Sequence, residues 1–435
     1  MKYALINPAW DFTGSTYFGC QETHLPLELF YAQQQLRERG HEACLIDAHL
    51  ERLTAAAAAA RAAAFEAEVV VVTTAPTYLF WRCPQPELRM AHDAFQALRA
   101  ALPHAKLVAI GPHGSATPET TRVKTGCDIV VRGEPDQMLH RLAQGEDGNG
   151  ELWRTDMPAL GAIDFDEYPL ELRRHRHHVF SGEGRGAEVE ATRGCPWSCS
   201  FCNKTLFRNR FRERPVATVL AEVAALANRG IDYIYFIDEI FGCARSTPAL
   251  LEGLRPLPVR FGIQTRIDLW KEDSLAALGA AGCISLECGI ESVSSDGRAR
   301  WRKGCRLEND RIISLLATAR RSIPWVQANL IAGADDDARA IAEWRTTLID
   351  GGIWASRPVP VYAFPGSPLY QILYGAPDDQ AWERAHADYL KANADGGYSD
   401  IQAAAPLRLE DLETLDASRS NSASCVTGNN TSHPA

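Results

Sequence analysis

The sequence predicts an α/β fold in two parts: an N-terminal doubly wound parallel sheet, then a partial barrel of six βα units, with a small helical region at the C-terminus. Three observations carry this. Apolar, β-branched runs alternate with amphipathic helical stretches from residue 2 to residue 136. The alternation restarts at residue 187 and continues to residue 366. The run "AEVVVVTTAP" (67–76) is continuously apolar, as a parallel strand buried on both faces must be.

The first series opens with "KYALINP" (2–8) as a strand and "LPLELFYAQQQLRERG" (25–40) as an amphipathic helix. "HEACLIDA" (41–48) is the second strand, followed by an Ala-rich helix around 51–65. The strand at 67–76 and a helix over roughly 86–101 come next, then strands "AKLVAIGPHG" (105–114) and "CDIVVRGEPD" (127–136). Ligands of such sheets lie outside the carboxyl ends of the strands. Those ends are Asn7–Pro8, Thr73–Pro76, Gly111–Gly114 and Gly133–Asp136, rich in Gly, Pro and Thr. Residues 1–140 therefore form one domain. Residues 141–184 read as a linker, with "RRHRHH" (173–178) as a solvated charge run.

The second series has strands at 187–194, 232–242, 259–268, 283–292, 325–333 and 357–366, with helices between them. Six units in about 180 residues make a shortened relative of the eight-stranded barrel, whose chemistry sits at the C-terminal ends of the strands. Residues 185–366 form this core and 367–415 read as helical, notably "DDQAWERAHADYLKAN". The small, polar stretch 416–435 is expected to be disordered.

Composition narrows the function. The formal net charge is −10, against a broad phosphate-binding surface, so nucleic acid is not an expected partner. No run of 18 apolar residues suggests a membrane span. The first strand begins near residue 3 with no signal peptide before it, so a reducing cytoplasm is expected for the 12 cysteines. "GEGRG" (182–186) precedes a strand rather than a helix and reads as a plain loop.

The cysteines are scattered, except in "ATRGCPWSCSFCNK" (191–204). There Cys195, Cys199 and Cys202 stand at C-x3-C-x2-C, just after the first barrel strand. Three thiols on one loop fit a zinc site with a remote fourth ligand, three unrelated buried thiols, or a [4Fe–4S] cluster with one iron left open. The spacing lacks the paired C-x2-C of zinc ribbons.

C-x3-C-x-aromatic-C, here Cys195, Cys199, Phe201 and Cys202, resembles the signature of the radical SAM superfamily. The resemblance implies a [4Fe–4S] cluster on the three cysteines and S-adenosyl-L-methionine (SAM) on its open iron. It further implies that Asp238 and Glu239 of "FIDEIF" meet the SAM amino group, and that Glu291 and Ser292 of "GIES" meet its ribose. Lys303, in Arg302–Lys303–Gly304, would meet its carboxylate; Phe201 and Asn329 of "ANLIAG" would lie near adenine. "PVYAFPGSPLY" (360–370) resembles the strand-six ending common in the superfamily. Arg266 and Asp268 are expected to face the cavity or SAM.

The N-terminal domain resembles Rossmann-like cobalamin-binding domains of the class B radical SAM methyltransferases, through "INP", "LPLELFYAQQQLRERGHEACLIDA" and "AIGPHGSATPE…DIVVRGEPD". This implies cobalamin contacts at Thr74, Gly111, Pro112, Gly133 and Glu134. Tyr78 and Trp81 either cover the corrin or pack between domains. The D-x-H-x-x-G of His-ligating cobalamin proteins is missing from "NPAWDFTGSTYFG", and His24 and His113 have the wrong register. Cobalamin is therefore expected base-off and without a histidine on cobalt. The two resemblances span about residues 1–370.

The implied activity is C-methylation of an unactivated carbon of a small biosynthetic intermediate, through a 5′-deoxyadenosyl radical and methylcobalamin. It needs a low-potential electron donor of flavodoxin or ferredoxin type. No nucleophilic triad is present and no catalytic side chain is assigned. Three alternatives stand beside it: cobalamin-dependent rearrangement or cyclisation without methyl transfer, methylthiolation, and an iron–sulfur or cobalamin regulator without turnover. Methylthiolation would need three more clustered N-terminal cysteines, whereas Cys20, Cys44, Cys83 and Cys127 are dispersed.

Overall fold

The computed structural model describes residues 1–10, 23–76, 88–146, 150–173, 185–204 and 207–393. Tyr78, Trp81, most of the 173–178 charge run, Gly182–Gly184 and the 416–435 tail lie outside these residues.

The N-terminal sheet holds β1 (Lys2–Asn7), β2 (Glu42–Asp47), β3 (Val69–Thr73), β4 (Lys106–Ile110) and β5 (Ile129–Val130), all parallel, in the order β2-β1-β3-β4-β5. Period-two alternation decides the layers. Tyr3, Leu5, Val69 and Val71 face α1 (Leu27–Glu38), while Ala4, Ile6, Val70 and Val72 face α2 (Ala55–Ala64) and α3 (Arg89–Ala101). The run Val69–Val72 is thus buried on both faces, as its composition predicts. The strand order reverses between β1 and β3, which is where a doubly wound sheet opens a ligand crevice.

Two expected strands are shorter than their sequences imply. The fourth stops at Ile110, and Pro112–Ala116 is helix α4, with Pro112 in the first turn where its missing N–H costs nothing. Helix α5 (Pro118–Thr125) follows. The fifth breaks after Val130, and Arg132–Gly133 (β6) pairs instead with Leu152–Trp153 (β7).

The second sheet is parallel in the order β15-β14-β13-β12-β11-β8. Its strands are β8 (Gly186–Val189), β11 (Tyr233–Phe236), β12 (Arg260–Thr265), β13 (Cys283–Glu291), β14 (Trp325–Leu330) and β15 (Trp354–Ala355). In register, Val189, Phe236, Ile263, Leu286 and Val326 form one apolar row. Helices α6 (Val216–Asn228), α7 (Thr247–Leu254), α8 (Glu272–Ala280), α9 (Ser295–Arg300), α10 (Asn309–Arg320) and α11 (Ala338–Asp350) connect the strands. The sixth strand is a correction: it is Trp354–Ala355, whereas 357–366 makes only one bridge, Ile331 to Val359. Pro358, Pro360 and Pro365 remove the ladder donors that a strand there would need.

The segment between the sheets is packed. Met157, Leu160, Ile163, Phe165, Tyr168 and Leu170 join the barrel's core cluster, together with Phe30 and Tyr31 of α1. At the other end, α12 (Pro368–Tyr374) leads to α13 (Ala381–Asn393), whose buried Trp382 returns to the first domain. Its ring lies 4.2 Å from the His113 ring, and its indole N–H donates to Thr117 Oγ1 at 2.8 Å. Among the described residues, no helix is long and apolar enough to cross a membrane.

Candidate active site

After β8 the chain makes a short antiparallel pair, β9 (Thr192–Arg193) with β10 (Arg212–Glu213), and the cysteine loop is the excursion between them. The loop is pinned from outside: Ser200 N–H donates to the Trp301 carbonyl at 3.0 Å, and Leu369 N–H to the Ser200 carbonyl at 2.8 Å. Cys195, Cys199 and Cys202 line one cavity of ≈ 150 Å³ at the C-terminal edge of the barrel sheet. Phe201, Glu239, Glu291 and Lys303 line it too, with Trp197, Lys204, Arg208 and Arg266, which the sequence reading left unassigned or open.

Three ion pairs stand on the cavity wall, and the Lys204 ammonium donates to the Cys195 carbonyl. Lys303 Nζ donates to Glu291 Oε1 at 2.8 Å. Arg266 grips Asp268 at 3.0 and 2.7 Å and stacks 4.3 Å over the Trp197 ring. Glu239 accepts the Gly194 N–H at 2.6 Å and a guanidinium N–H of Arg208. Two glycines make room. A Cβ on Gly289 would meet Glu291 Oε1 at 2.4 Å and so displace the ion pair. Gly194, at φ +83°, would drive a Cβ to 2.0 Å from the Arg210 carbonyl. Glu291 itself is left-handed, at φ +72°, where the β13–β14 register shifts. Such a conformation in a non-glycine costs about 1 kcal/mol or more and persists only where its surroundings hold it.

Burial pushes the Cys199 thiol up, and the Cys202 thiol up to about 12. Buried thiols of this kind ionise only when a cation joins them. The described residues hold no tight group of three His, Cys, Asp or Glu side chains closing on a single ion. The three thiols instead surround a shared cavity, an arrangement suited to a group with a separate metal atom for each thiolate.

Other sequence-nominated residues fall elsewhere. Asp238 is buried beside the cavity and does not line it; Oδ1 accepts from Ala191 N–H at 2.9 Å and Oδ2 from the Thr192 hydroxyl at 2.5 Å. It lies two residues beyond the end of β11, and only its neighbour Glu239 lines the cavity. Ser292 bonds Asp336 at 2.7 Å, tying the turn after β13. Asn329 accepts from Gln327 at 2.8 Å, opposite Gly289 in the β13–β14 register.

Glu134 is the largest departure. It is buried, and it joins Arg193 at 3.1 Å and Arg212 at 2.6 Å, with Asp136 on Arg193 at 2.8 Å. The "GEPD" stretch is therefore bonded to the base of the cysteine loop. Gly133 abuts the Trp153 backbone, where a Cβ would lie 2.2 Å from its carbonyl oxygen.

At the end of β3, next to the strand-order reversal, the Thr73 hydroxyl is buried without a hydrogen-bond partner among the described residues. Thr74 and Gly111 adjoin it: Thr74 Oγ1 lies 3.3 Å from His113 Nδ1, and Thr74 N–H donates to the Ile110 carbonyl. A buried orphan hydroxyl at a switch point suits a ligand rich in polar groups. Three histidines of this region are engaged. His24 Nδ1 lies 2.7 Å from Glu188, His49 Nδ1 accepts from Trp10 N–H at 3.1 Å, and His113 packs on Trp382. Burial lowers His49 to about 4 and His113 to about 3, so both are neutral.

Two family models match the chain: the Radical SAM superfamily over residues 189–344 and the B12 binding domain over residues 20–143. An uncharacterized methyltransferase of Pyrococcus horikoshii is 27% identical over 369 residues, 79% of this chain and 76% of that one. The hopanoid C-3 methylase of Methylococcus capsulatus is 25% identical over 343 residues, 73% of this chain and 64% of its own. The anaerobic magnesium-protoporphyrin IX monomethyl ester cyclase of Cereibacter sphaeroides is 23% identical over 412 residues, 86% of this chain and 64% of its own. The chain thus spans less than two thirds of the last two. In fold it is similar to the radical SAM methyltransferase TsrM of Kitasatospora setae, with TM-score 0.67 at 17% identity, covering 85% of this chain and 74% of that one. It is also similar to the cobalamin-dependent enzyme OxsB, with TM-score 0.63 at 15% identity, covering 90% and 56%. The family matches bring a [4Fe–4S] cluster, SAM and cobalamin as cofactors.

One prediction concerns Asp238. Burial raises its carboxyl from 3.8 to about 7. The folded state therefore favours the protonated acid, and this contribution to stability is lost as pH rises from about 4 through 7. Asp238→Asn keeps an acceptor and cannot ionise. Its thermal midpoint, relative to wild type, should improve between pH 5 and pH 8. Parallel pH dependences for the two proteins would refute this.

Proposed function

We propose that this radical SAM protein with a B12-binding domain is a C-methyltransferase acting on an unactivated carbon of a small biosynthetic intermediate. The observation that carries the reading is the joining of the three-thiol cavity to the B12-binding domain through the buried pairs of Arg193 with Asp136 and Glu134. The methyltransferase-named relatives support it. When bound, SAM on the cluster supplies a hydrogen-abstracting 5′-deoxyadenosyl radical, and cobalamin supplies the methyl group.

In this reading Cys195, Cys199 and Cys202 hold the cluster. Lys303 and Arg266 place positive charge beside Cys199 and meet the SAM carboxylate. Glu239 accepts the SAM ammonium with the lone pairs left after Gly194 and Arg208. Glu291 meets the ribose, and Phe201, held edge-on 5.8 Å from Trp301, borders the adenine. Thr73, Thr74 and Gly111 border the cobalamin crevice; Glu134 and Gly133 join the domains. The paired wall charges hold the cavity's shape, and the apolar rings of Phe201, Trp197 and Phe207 limit water. A second reading, ring formation without methyl transfer, draws on the cyclase-named relative.

The deciding experiment supplies SAM labelled with a trideuterated methyl group, a low-potential reductant and candidate substrates under anaerobic conditions. C-methylation predicts product carrying the label on carbon; cyclisation predicts unlabelled product that has lost hydrogen. Alanine at Cys195, Cys199 or Cys202 should leave less than about a tenth of the wild-type iron after reconstitution, while Cys44→Ala keeps it. A single loop mutant with full iron content would sink the ligand assignment.

The engaged histidines generate a further expectation. Paramagnetic resonance of bound cob(II)alamin should show no splitting from an axial imidazole nitrogen. A splitting that disappears in His24→Ala, His49→Ala or His113→Ala would overturn the histidine-free assignment.

A further inference from the structure

The core of the first domain is completed from the far end of the chain. On the α2 and α3 side of its sheet, the cluster holding Ile6, Val70, Val72 and Leu107 also takes in Phe364 and Trp382. Trp382 is the second residue of α13 and is 1% exposed. A buried indole needs an acceptor for its N–H, and Thr117, between α4 and α5, supplies it. Nearby, Lys124 of α5 donates to the Asp379 carbonyl at 2.7 Å and pairs with Glu383 of α13.

From Trp382 the contacts run on to the strand ends. Its ring packs 4.2 Å from the His113 ring, and His113 Nδ1 lies 3.3 Å from Thr74 Oγ1. The Thr117 hydroxyl that accepts the indole N–H itself donates to the His113 carbonyl at 3.2 Å. Thr74 follows Thr73, whose buried hydroxyl has no hydrogen-bond partner among the described residues. Gly111 stands so close that a Cβ there would meet Thr74 Oγ1 at 2.9 Å. Helix α13 thus reaches the crevice at the end of β3 through two packed side chains, His113 and Thr74. In the other direction it follows α12, whose Leu369 N–H donates to the Ser200 carbonyl inside the cysteine loop.

We propose that α13 is a clasp on the cobalamin crevice, with Trp382 as the positioning residue that holds Thr74 in place through His113. This rests on the cofactor assignment above. With α13 docked, His113 is pressed toward Thr74 and the strand-end wall has one arrangement. With α13 released, a void the size of an indole opens beside His113 and the wall loses its backing. Docking of α13 and binding of cobalamin are then linked: whatever loosens α13 weakens cobalamin, and cobalamin tightens α13 by the same factor. Trp382 acts through its neighbours and need not touch the corrin.

The test is equilibrium dialysis of hydroxocobalamin against the full chain with its reconstituted cluster, read by absorbance. Hydrogen exchange across residues 381–393 is followed alongside. Trp382→Ala should raise the dissociation constant about tenfold, and Trp382→Phe, which keeps a ring and loses the N–H, should recover part of that loss. Saturating hydroxocobalamin should slow exchange across 381–393 about tenfold in the wild type and leave it unchanged in Trp382→Ala. An unchanged dissociation constant in Trp382→Ala would overturn the proposal, even with a lowered thermal midpoint, because the ring would then serve stability alone. Wild-type exchange that ignores hydroxocobalamin would overturn it too. Should Trp382→Ala fail to fold, Thr117→Val carries the same comparison, with a rise of about threefold expected from the lost hydrogen bond. A wild-type chain that takes up no hydroxocobalamin would defeat the cofactor assignment, and the clasp with it.

Discussion

The arrangement depends on one buried guanidinium. Arg193 lies two residues before Cys195 and is wholly buried. It contacts Asp136 at 2.8 and 3.1 Å, Glu134 at 3.1 Å, and Glu190 at 2.7 and 3.1 Å. Burial alone would lower its pKa; the three carboxylates outweigh burial and hold it charged. Glu190 shows the converse. Burial would raise it, yet Arg193, Arg208 and Arg214 bring it down to about 2. Such a cluster adds little net stability over an apolar equivalent, but removing one member strands the others and costs about 3–5 kcal/mol. What it contributes is position. Two carboxylates come from the end of the first domain, and the arginine stands at the base of the cysteine loop.

A second arginine repeats the device. Arg208 ends the same loop in a left-handed conformation, at φ +56°. It spans Glu28 of α1 at 3.2 Å, Glu190 below the loop, and Glu239 on the cavity wall. Both ends of the loop are thus tied to both domains, with Glu190 shared between the ties. Ion pairs are directional where apolar packing is not. A slip of an ångström between domains would leave a charge buried and unpaired, so the relative placement is sharply defined.

Parts of this were legible in the sequence. The three cysteines announced themselves by spacing, and Val69–Val72 announced a doubly buried strand. Local pattern could not tell Asp238 from Glu239. Neighbouring carboxylates beyond a strand end diverge, and which one meets the cavity is decided by Ala191 and Thr192, where the chain passes from β8 into β9. Glu134 looked like part of a ligand edge because its partners, Arg193 and Arg212, are far away in sequence. Residues 141–184 read as a linker from their polar loop and charge run; within them Met157, Leu160, Ile163, Phe165, Tyr168 and Leu170 pack into the barrel core, against partners far away in sequence.

The charge balance of the cavity follows from the same economy. Lys303 with Glu291, Arg266 with Asp268, and Arg208 with Glu239 place three near-neutral pairs around the thiols. Pairing lowers the cost of holding these charges partly buried before any ligand arrives. A zwitterion can enter between such pairs by exchanging partners, its carboxylate beside a cation and its ammonium beside a carboxylate, without changing the net charge. The thiols obey the opposite rule. Burial holds the Cys199 and Cys202 thiols neutral until metal charge compensates their ionisation, so metal binding must precede the full electrostatic function of the wall. Lys303 and Arg266, which lower the cost of the Cys199 thiolate, link the two steps.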